Sequence, residues 1–423
     1  MLRPSITIKA VLVVTSLLLA AAAQAQTTAQ LFDAGTLQEI RLWMNSRDLD
    51  QLREKFESDE YYPADMEWGN VRVRSVGIRS RGRGSRNPQK LALRIDFNRY
   101  VTDQKFLGVS SLVLDNGWED PSMIREGIAM AFFAQMGQPA PRESYGRLFI
   151  NGDYEGLYTI VESIDKSFLT RALGENKGYL FNYQYSYPFY GEFLGDDLAA
   201  YKTLFEAQTH ESKDDGTLYQ PIHDLFREVN TDSAAWRDSV ERFLDLRQFV
   251  THIAIESFMS EIDGILGDWG MNNFSLYRPE DSTRHIVIPW DRDNSFQDTI
   301  SDVMRHTDEN AIVARALAYP DLRELYLQTL EQCATVAAAD GWLDAQVSAR
   351  AALVDQAARA DVRKRYPEED FDIAIEFLKQ FAANRPVMVV EEVESLRAGG
   401  QSTSAATAAA QVLAARVRAR ARR

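Results

Sequence analysis

The chain has 423 residues, 45% of them hydrophobic and 26% charged, with a formal net charge of -15. That balance describes a folded protein with a large core, not a disordered chain. The acidic excess argues against a general nucleic-acid binder, which needs a basic surface to meet phosphates, so no specific nucleic-acid partner is expected.

The N-terminal MLRPSITIKAVLVVTSLLLAAAAQAQ places Arg3 and Lys9 around the start of an apolar stretch, Ala10 to Ala23, followed by Ala23-Gln24-Ala25. A basic start, an apolar run and a small-residue cleavage site predict a signal peptide over residues 1–25 and an exported chain, in a bacterial envelope or outside it. No later apolar run reaches the ~18 residues of a membrane span. Cys333 is the single cysteine, so no intrachain disulfide can form; its helical surroundings, LYLQTLEQCATVAAA, predict core packing.

Residues 26–69 read as a helical lead-in, because LFDAGTLQEIRLWMNSRDLDQLREKF spaces its apolar residues near the helical period. From residue 69 to 114 the period changes to two. NVRVRSVGIRSRG, LALRIDF and VSSLVLD predict strands of an antiparallel, partly exposed sheet, interrupted by the loop RGRGSRNPQ. Asp120 or Ser122 is expected to cap the helix MIREGIAMAFFAQMG, with Gly137 at its end. Asn151-Gly152 predicts a hairpin turn. Residues 166–235 read as irregular, with the aromatic stretch FNYQYSYPFYGEFLG packed onto the body. One or two helices follow over 236–262, and further helices run from PWDRDNSF to about residue 380. The tail, residues 381–423, is read as low-complexity and basic, ending in Arg416, Arg418, Arg420, Arg422 and Arg423. It is first of all a solubilising end; contact with an anionic surface is the alternative.

Three polar islands interrupt this packable sequence. The first gathers Arg79, Arg81, Arg83, Arg86, Lys90 and Arg94. Lys90 and Arg94 are four apart and would share one face of a strand. Guanidinium forks suit phosphate, and loop glycines let it approach backbone N–H groups. This is not the GxxxxGK[ST] phosphate loop, and a solvated face explains the charge equally well. The second island, VESIDKSFL, offers Glu162 to orient a phosphate-binding lysine; a surface salt bridge is its plainer reading. The third, DGILGDWGMNNFSLYR, carries Asp263, Asp268, Asn272 and Asn273 just before one strand, and PWDRDNSF carries Asp291 and Asp293 just after another. If FSLYR and IVIP pair, these oxygens converge. Such a set suits Mg2+ or Mn2+, while the absence of HExxH argues against zinc. Asp291 is expected to ligate metal, with Asn273 as a second ligand and Asp293 sharing. Asp263 would orient or deprotonate an acceptor hydroxyl, and Asp268 is an alternate for either role. A Ca2+-stabilised binding domain fits the same composition.

At these residues the chain resembles the CotH kinase family, the spore-coat-protein-H-like atypical protein kinases. VGIRSRGRGSRNPQKLALRIDFNRY, the long block from KFLGVSSLVLDNGWEDPSMIREG to VESIDKSFL, NNFSLYR and PWDRDNSF follow in the family's order, from Asn70 to Asp298. The resemblance implies a domain over 70–380 of α+β class: a divergent protein-kinase-like fold with an N-terminal antiparallel sheet lobe and a more helical C-terminal lobe. It implies ATP and Mg2+ or Mn2+ as cofactors and an acceptor protein, expected to be exported as well; Ser or Thr is the preferred acceptor, because a carboxylate base suits an aliphatic hydroxyl. It matches Lys90 to the phosphate-binding basic strand, Glu162 to its acidic partner, Asp263 to the catalytic acid, and Asn273 and Asp291 to the metal positions. Arg83 and Arg94 join the cofactor-binding set. Two places depart from the family: Asn272-Asn273-Phe274-Ser275 stands where many relatives read His-Asn-Tyr-Tyr, and Asp96 stands where Lys is common. A binding module without catalysis, or nucleotidyl transfer on the same scaffold, are the alternatives.

Overall fold

The computed structural model describes residues 26–399. The expected signal peptide and the arginine-rich end lie outside them. A short helix, α1 (Thr28–Leu31), leads into strand β1 (Leu37–Met44), and helix α2 (Ser46–Glu54) follows. Strands β2 (Tyr62–Trp68), β3 (Val71–Ser80), β4 (Leu93–Asp96) and β5 (Ser111–Asp115) form an antiparallel meander. After helix α3 (Arg125–Gln135), strands β6 (Glu143–Ile150) and β7 (Asp153–Glu162) form the hairpin expected at Asn151-Gly152. Both turn residues have positive φ, +53° and +93°, as a type I′ turn requires.

These seven strands close into a barrel in the order β1-β2-β3-β4-β5-β7-β6. Closure comes from a parallel pairing of β1 with β6, in which Leu37 stands opposite Tyr145. Two expectations are corrected. The sheet is a closed barrel with one parallel pair, not the purely antiparallel, partly exposed sheet expected. The helical lead-in supplies two barrel strands, so a boundary after residue 69 falls between the paired strands β2 and β3. Alternation places Ile40, Leu42, Met66, Leu93 and Ile95 inside the barrel, where they are buried.

The second body is mostly helical. Residues 166–235, expected to be irregular, contain helix α4 (Lys166–Leu173), strand β8 (Tyr179–Tyr183), helix α5 (Leu198–Leu204), strand β9 (Phe205–Ala207) and helix α6 (Asp215–Asn230). Helices α7 (Trp236–Glu241) and α8 (Leu246–Phe258) precede strands β10 (Phe274–Arg278) and β11 (Ile286–Pro289). A four-stranded sheet in the order β11-β10-β8-β9 results. Helices α9 (Ala311–Ala316), α10 (Pro320–Ala338), α11 (Trp342–Ala360) and α12 (Glu368–Arg397) complete the body. Helix α12 runs through the boundary expected at residue 381. Cys333 is buried in α10, as expected. The class is therefore mixed α+β. Among the described residues no helix is long and apolar enough to cross a membrane.

One buried side chain orients this body toward the site. Arg385 of α12 is fully buried and donates to the carbonyls of Ser257 and Phe258 at 2.7 and 2.8 Å, and to that of Ser301 at 2.6 Å. It adds a side-chain donor to the carbonyls that end α8, and so fixes where the next loop begins.

Candidate active site

That next loop carries Asp263. It is held by Glu256 of α8, whose carboxylate accepts from Ile265 N–H at 2.9 Å and pairs with Arg292 at 2.6 Å. Arg292 lies in the turn that also carries Asp291 and Asp293. One buried carboxylate thus ties together the two acid-bearing segments. Burial alone would raise the Glu256 carboxyl, but the Arg292 guanidinium and the His252 hydrogen bond hold it below its ordinary value. Gly264 is required there, because a Cβ would stand 2.7 Å from both Arg292 Nη1 and Glu256.

Strands β10 and β11 pair as expected, with Phe274 opposite Pro289. The main chain continues one step further, from Trp290 N–H to Asn273 C=O at 3.1 Å. Asn273 and Asp291 flank this last bond, and both have left-handed backbones, φ +56° and +52°. Such conformations are costly for non-glycine residues and concentrate at functional sites. Asp263 accepts from Asn272 Nδ2 at 3.0 Å and Asn273 Nδ2 at 2.8 Å. Burial raises its carboxyl above the ordinary value despite these bonds.

Asp263, Asn272, Asn273, Asp291 and Asn294 line one wall of a cleft of about 970 Å³ between the barrel and the helical body. The barrel wall carries Arg79, Arg81, Arg83, Arg86 and Arg94. Three of these five are neutralised. Arg81 pairs with Asp115 at 3.2 Å and approaches Asp291 at 4.0 Å; Arg79 and Arg86 share Asp59. Arg83 has no carboxylate partner among the described residues, and its guanidinium lies 5.8 Å from the centre of the Tyr185 ring. Arg94 donates to Ser111 Oγ at 3.2 Å and likewise has no carboxylate partner.

Burial pushes Asp291 up to about 7; Arg81 opposes this, while Asp115, Asp263 and Glu119 add to it. Asp293 is raised well above its ordinary value by burial and by Asp291. Both shifts favour the protonated carboxyls over the charged ones, with burial the leading cause and the neighbouring acids adding to it. Among the described residues no three His, Cys, Asp or Glu side chains group as a metal-binding set. Mg2+ needs less from the protein, since it is commonly held by one or two carboxylates together with substrate phosphates and waters. The oxygens of Asp291 and Asn273 fit that demand.

Four predicted residues are not on the cleft wall. Lys90 is fully buried and pairs with Asp361, from the loop after α11, at 2.7 Å; it also donates to the Leu157 carbonyl at 2.8 Å. It sits on a bend before β4, so the period-two argument linking it to Arg94 does not reach it. Glu162 pairs with Arg142 at 2.8 Å and Arg171 at 2.6 Å, not with Lys90. Asp268 is engaged by Arg305 at 2.8 Å and His306 at 3.1 Å. Asp293 lies behind the wall and accepts from Asn294 Nδ2 at 3.0 Å. The helix-cap expectation is corrected: Ile124 occupies the cap position of α3 and makes no side-chain cap bond, while Asp120, further upstream, accepts from Arg125 N–H at 2.8 Å.

Sequence reasoning did not find Glu256, Arg292, Glu119 or Arg365. Arg292 stands inside the PWDRDNSF motif, and its charge between two acids was the available signal. The aromatic stretch divides. Phe189 is buried as expected, and Tyr183 stacks on Phe274 at 4.8 Å, while Tyr183 and Tyr185 also line the cleft.

A family model described as CotH kinase protein matches residues 78–389. The inner spore coat protein H of Bacillus subtilis (strain 168) is 24% identical over 354 residues, covering 82% of this chain and 94% of that protein. An inner spore coat protein H-like protein of the same organism is 41% identical over 61 residues, 14% of this chain and 20% of that protein. Among solved structures, the Helicobacter pylori proinflammatory kinase CtkA aligns over 72% of this chain and 95% of its own, at 10% identity and a TM-score of 0.32.

Proposed function

The chain belongs to the CotH kinase family, and from that premise we propose that it is an exported, divergent protein-kinase-like enzyme. It transfers the γ-phosphoryl group of ATP, with Mg2+ or Mn2+, to a Ser or Thr hydroxyl of an exported protein. The observation that carries this reading is the cleft itself. Guanidinium groups without carboxylate partners stand on one wall, and carboxylates and amides on left-handed backbone stand on the other. Phosphoryl transfer asks for both: cations that bind the phosphates, and a carboxylate beside the attacking hydroxyl.

In this reading Arg83 and Arg94 bind the phosphate chain. Asp291 and Asn273 hold the divalent cation, which supplies charge neutralisation to the phosphates. Asp263, fixed by Asn272 and Asn273, orients the acceptor and takes its hydroxyl proton. The acceptor oxygen bonds to the γ-phosphorus as the bond to the β–γ bridging oxygen breaks, and ADP departs. The raised Asp263 carboxyl makes it a better proton acceptor than an ordinary exposed aspartate. Lys90 and Glu162 act at one remove, through the packing of the barrel. The basic start and apolar run before residue 26 support export.

The test is incubation of the purified chain with ATP and Mg2+ or Mn2+, read by intact-protein mass spectrometry. A metal-dependent gain of about 80 Da, absent in Asp291→Ala, is the expected product of phosphorylation. A gain of about 329 Da would replace phosphoryl by AMP transfer on the same site. No ATP binding by calorimetry would replace catalysis by a binding module.

A further inference from the structure

The third wall of the cleft comes from an unexpected part of the chain. Residues 361–367 link α11 to α12, and Arg365 and Tyr366 of this strap line the cleft. The strap is pinned to the barrel by buried groups. Asp361 pairs with Lys90 and accepts from Leu157 N–H at 3.0 Å, with Gly156 packed so closely beneath it that a Cβ would stand 2.4 Å from Asp361 Oδ2. Two of the strap's three cations are engaged, one on the barrel and one within the strap. Arg363 donates to the Gln89 carbonyl at 3.3 Å and pairs with Glu155 at 3.4 Å, and Lys364 donates to the Asp361 carbonyl at 3.2 Å.

Arg365 does neither. It is exposed, and among the described residues it has no carboxylate partner; its guanidinium lies 5.8 Å from the centre of the Trp118 ring and 5.2 Å from that of Tyr366. Trp118 precedes Glu119, which accepts from Asn294 Nδ2 at 3.2 Å and faces Gly84 of the glycine-arginine loop. Asn116 donates to the carbonyls of Ser85 and Lys90, so this loop, the 116–119 segment and the strap form one continuous rim. Arg365 thus stands on the phosphate-binding side of the cleft, beside the loop that carries Arg83.

We propose that Arg365 is a phosphate-binding residue of the nucleotide cleft, supplied by the helical body and held in place by the Lys90–Asp361 pair. The proposal rests on the phosphotransfer reading above. A bound triphosphate then meets guanidinium groups from three separate segments: the loop after β3 (Arg83), strand β4 (Arg94) and the strap (Arg365). Lys90 becomes a positioning residue that joins the loop to the strap.

Calorimetric titration of the purified chain, its Arg365→Ala variant and its Arg365→Lys variant with MgATP, tripolyphosphate and adenosine tests this. Arg365→Ala should weaken MgATP and tripolyphosphate about tenfold, leave adenosine within about twofold, and leave the melting temperature unchanged. Arg365→Lys should recover part of the loss, since it restores charge without the fork. Equal weakening of adenosine and MgATP would assign Arg365 to the shape of the cleft and overturn the proposal, as would an MgATP affinity in Arg365→Ala equal to that of the wild type. A wild-type chain that binds neither MgATP nor tripolyphosphate overturns this proposal and the phosphotransfer reading together.

Discussion

Two ion pairs flank the same loop of the barrel, and they are built in opposite ways. Lys90–Asp361 closes at 2.7 Å with neither side chain exposed. Arg81–Asp291 stands open at 4.0 Å, with the Asp291 side chain 30% exposed to the cleft. A buried pair is costly to desolvate and is retained by close geometry and further hydrogen bonds, as at Asp361. An open pair leaves its carboxylate with unspent charge. The lysine nearest to a phosphate-binding pattern in sequence is buried as a pin between barrel and strap, and the groups left incompletely matched are those that the proposed phosphotransfer would use.

The comparison can be broken from either side. The largest effect is expected in the open region. Asp263→Asn should lower kcat by about 100- to 10,000-fold while MgATP affinity, followed by calorimetry, stays near wild type. Loss of affinity with kcat retained would move Asp263 from acceptor to nucleotide. Asp291→Ala should lower turnover by about 1,000-fold and remove the Mg2+ dependence of nucleotide binding. A variant with wild-type metal dependence would place the cation elsewhere.

On the closed side, Lys90→Met should cost about 3–5 kcal/mol in urea unfolding, because it strands Asp361 in the interior. Full stability with lost ATP binding would invert the comparison and restore Lys90 as a phosphate ligand. Gly156→Ala attacks the same pin through the backbone. Its φ of +128° and the absent space beside Asp361 predict a loss of about 1–3 kcal/mol, read as a shift in urea midpoint. Stability equal to wild type would mean that the strap can shift off the barrel without penalty.

The smallest effect sharpens the comparison through pH. Glu261 accepts from Asp263 N–H at 2.7 Å and from Ser295 Oγ at 2.6 Å, and burial lifts its carboxyl from 4.5 to about 7. The folded state holds this proton more tightly than the unfolded state, so its contribution to stability falls as pH rises through that interval and is constant beyond it. Glu261→Gln should flatten this fall while matching wild type at the acid end, measured as urea midpoints across the interval. A variant with the wild-type slope would assign the dependence to other acids.

Much of the site was legible because its signals are local. The FSLYR and IVIP strands carry β-branched and aromatic residues, their short separation favours pairing, and pairing alone brings Asn273 and Asp291 together. Asn151-Gly152 announced its turn for the same reason. Barrel closure left no such signal: β1 alternates over too few residues to outweigh its helical surroundings, and its partner β6 lies far along the chain. Lys90 was misplaced because spacing of four has meaning only inside a strand, and β4 begins later, at Leu93. Arg365 lay far from every motif. Its trace in the sequence is Arg363-Lys364-Arg365-Tyr366-Pro367, a basic and aromatic interruption between two helical patterns that reads, alone, as a solvated turn.

The parallel pairing of β1 with β6 also sets an order of events during synthesis. Leu37 cannot meet Tyr145 until the chain has been made past the β6–β7 hairpin, and such distant pairings form slowly. Until then β1 and β2 have no closed barrel to join. Under the proposed export this delay has a use, because the first strands cannot lock into the finished structure while the rest is still being made.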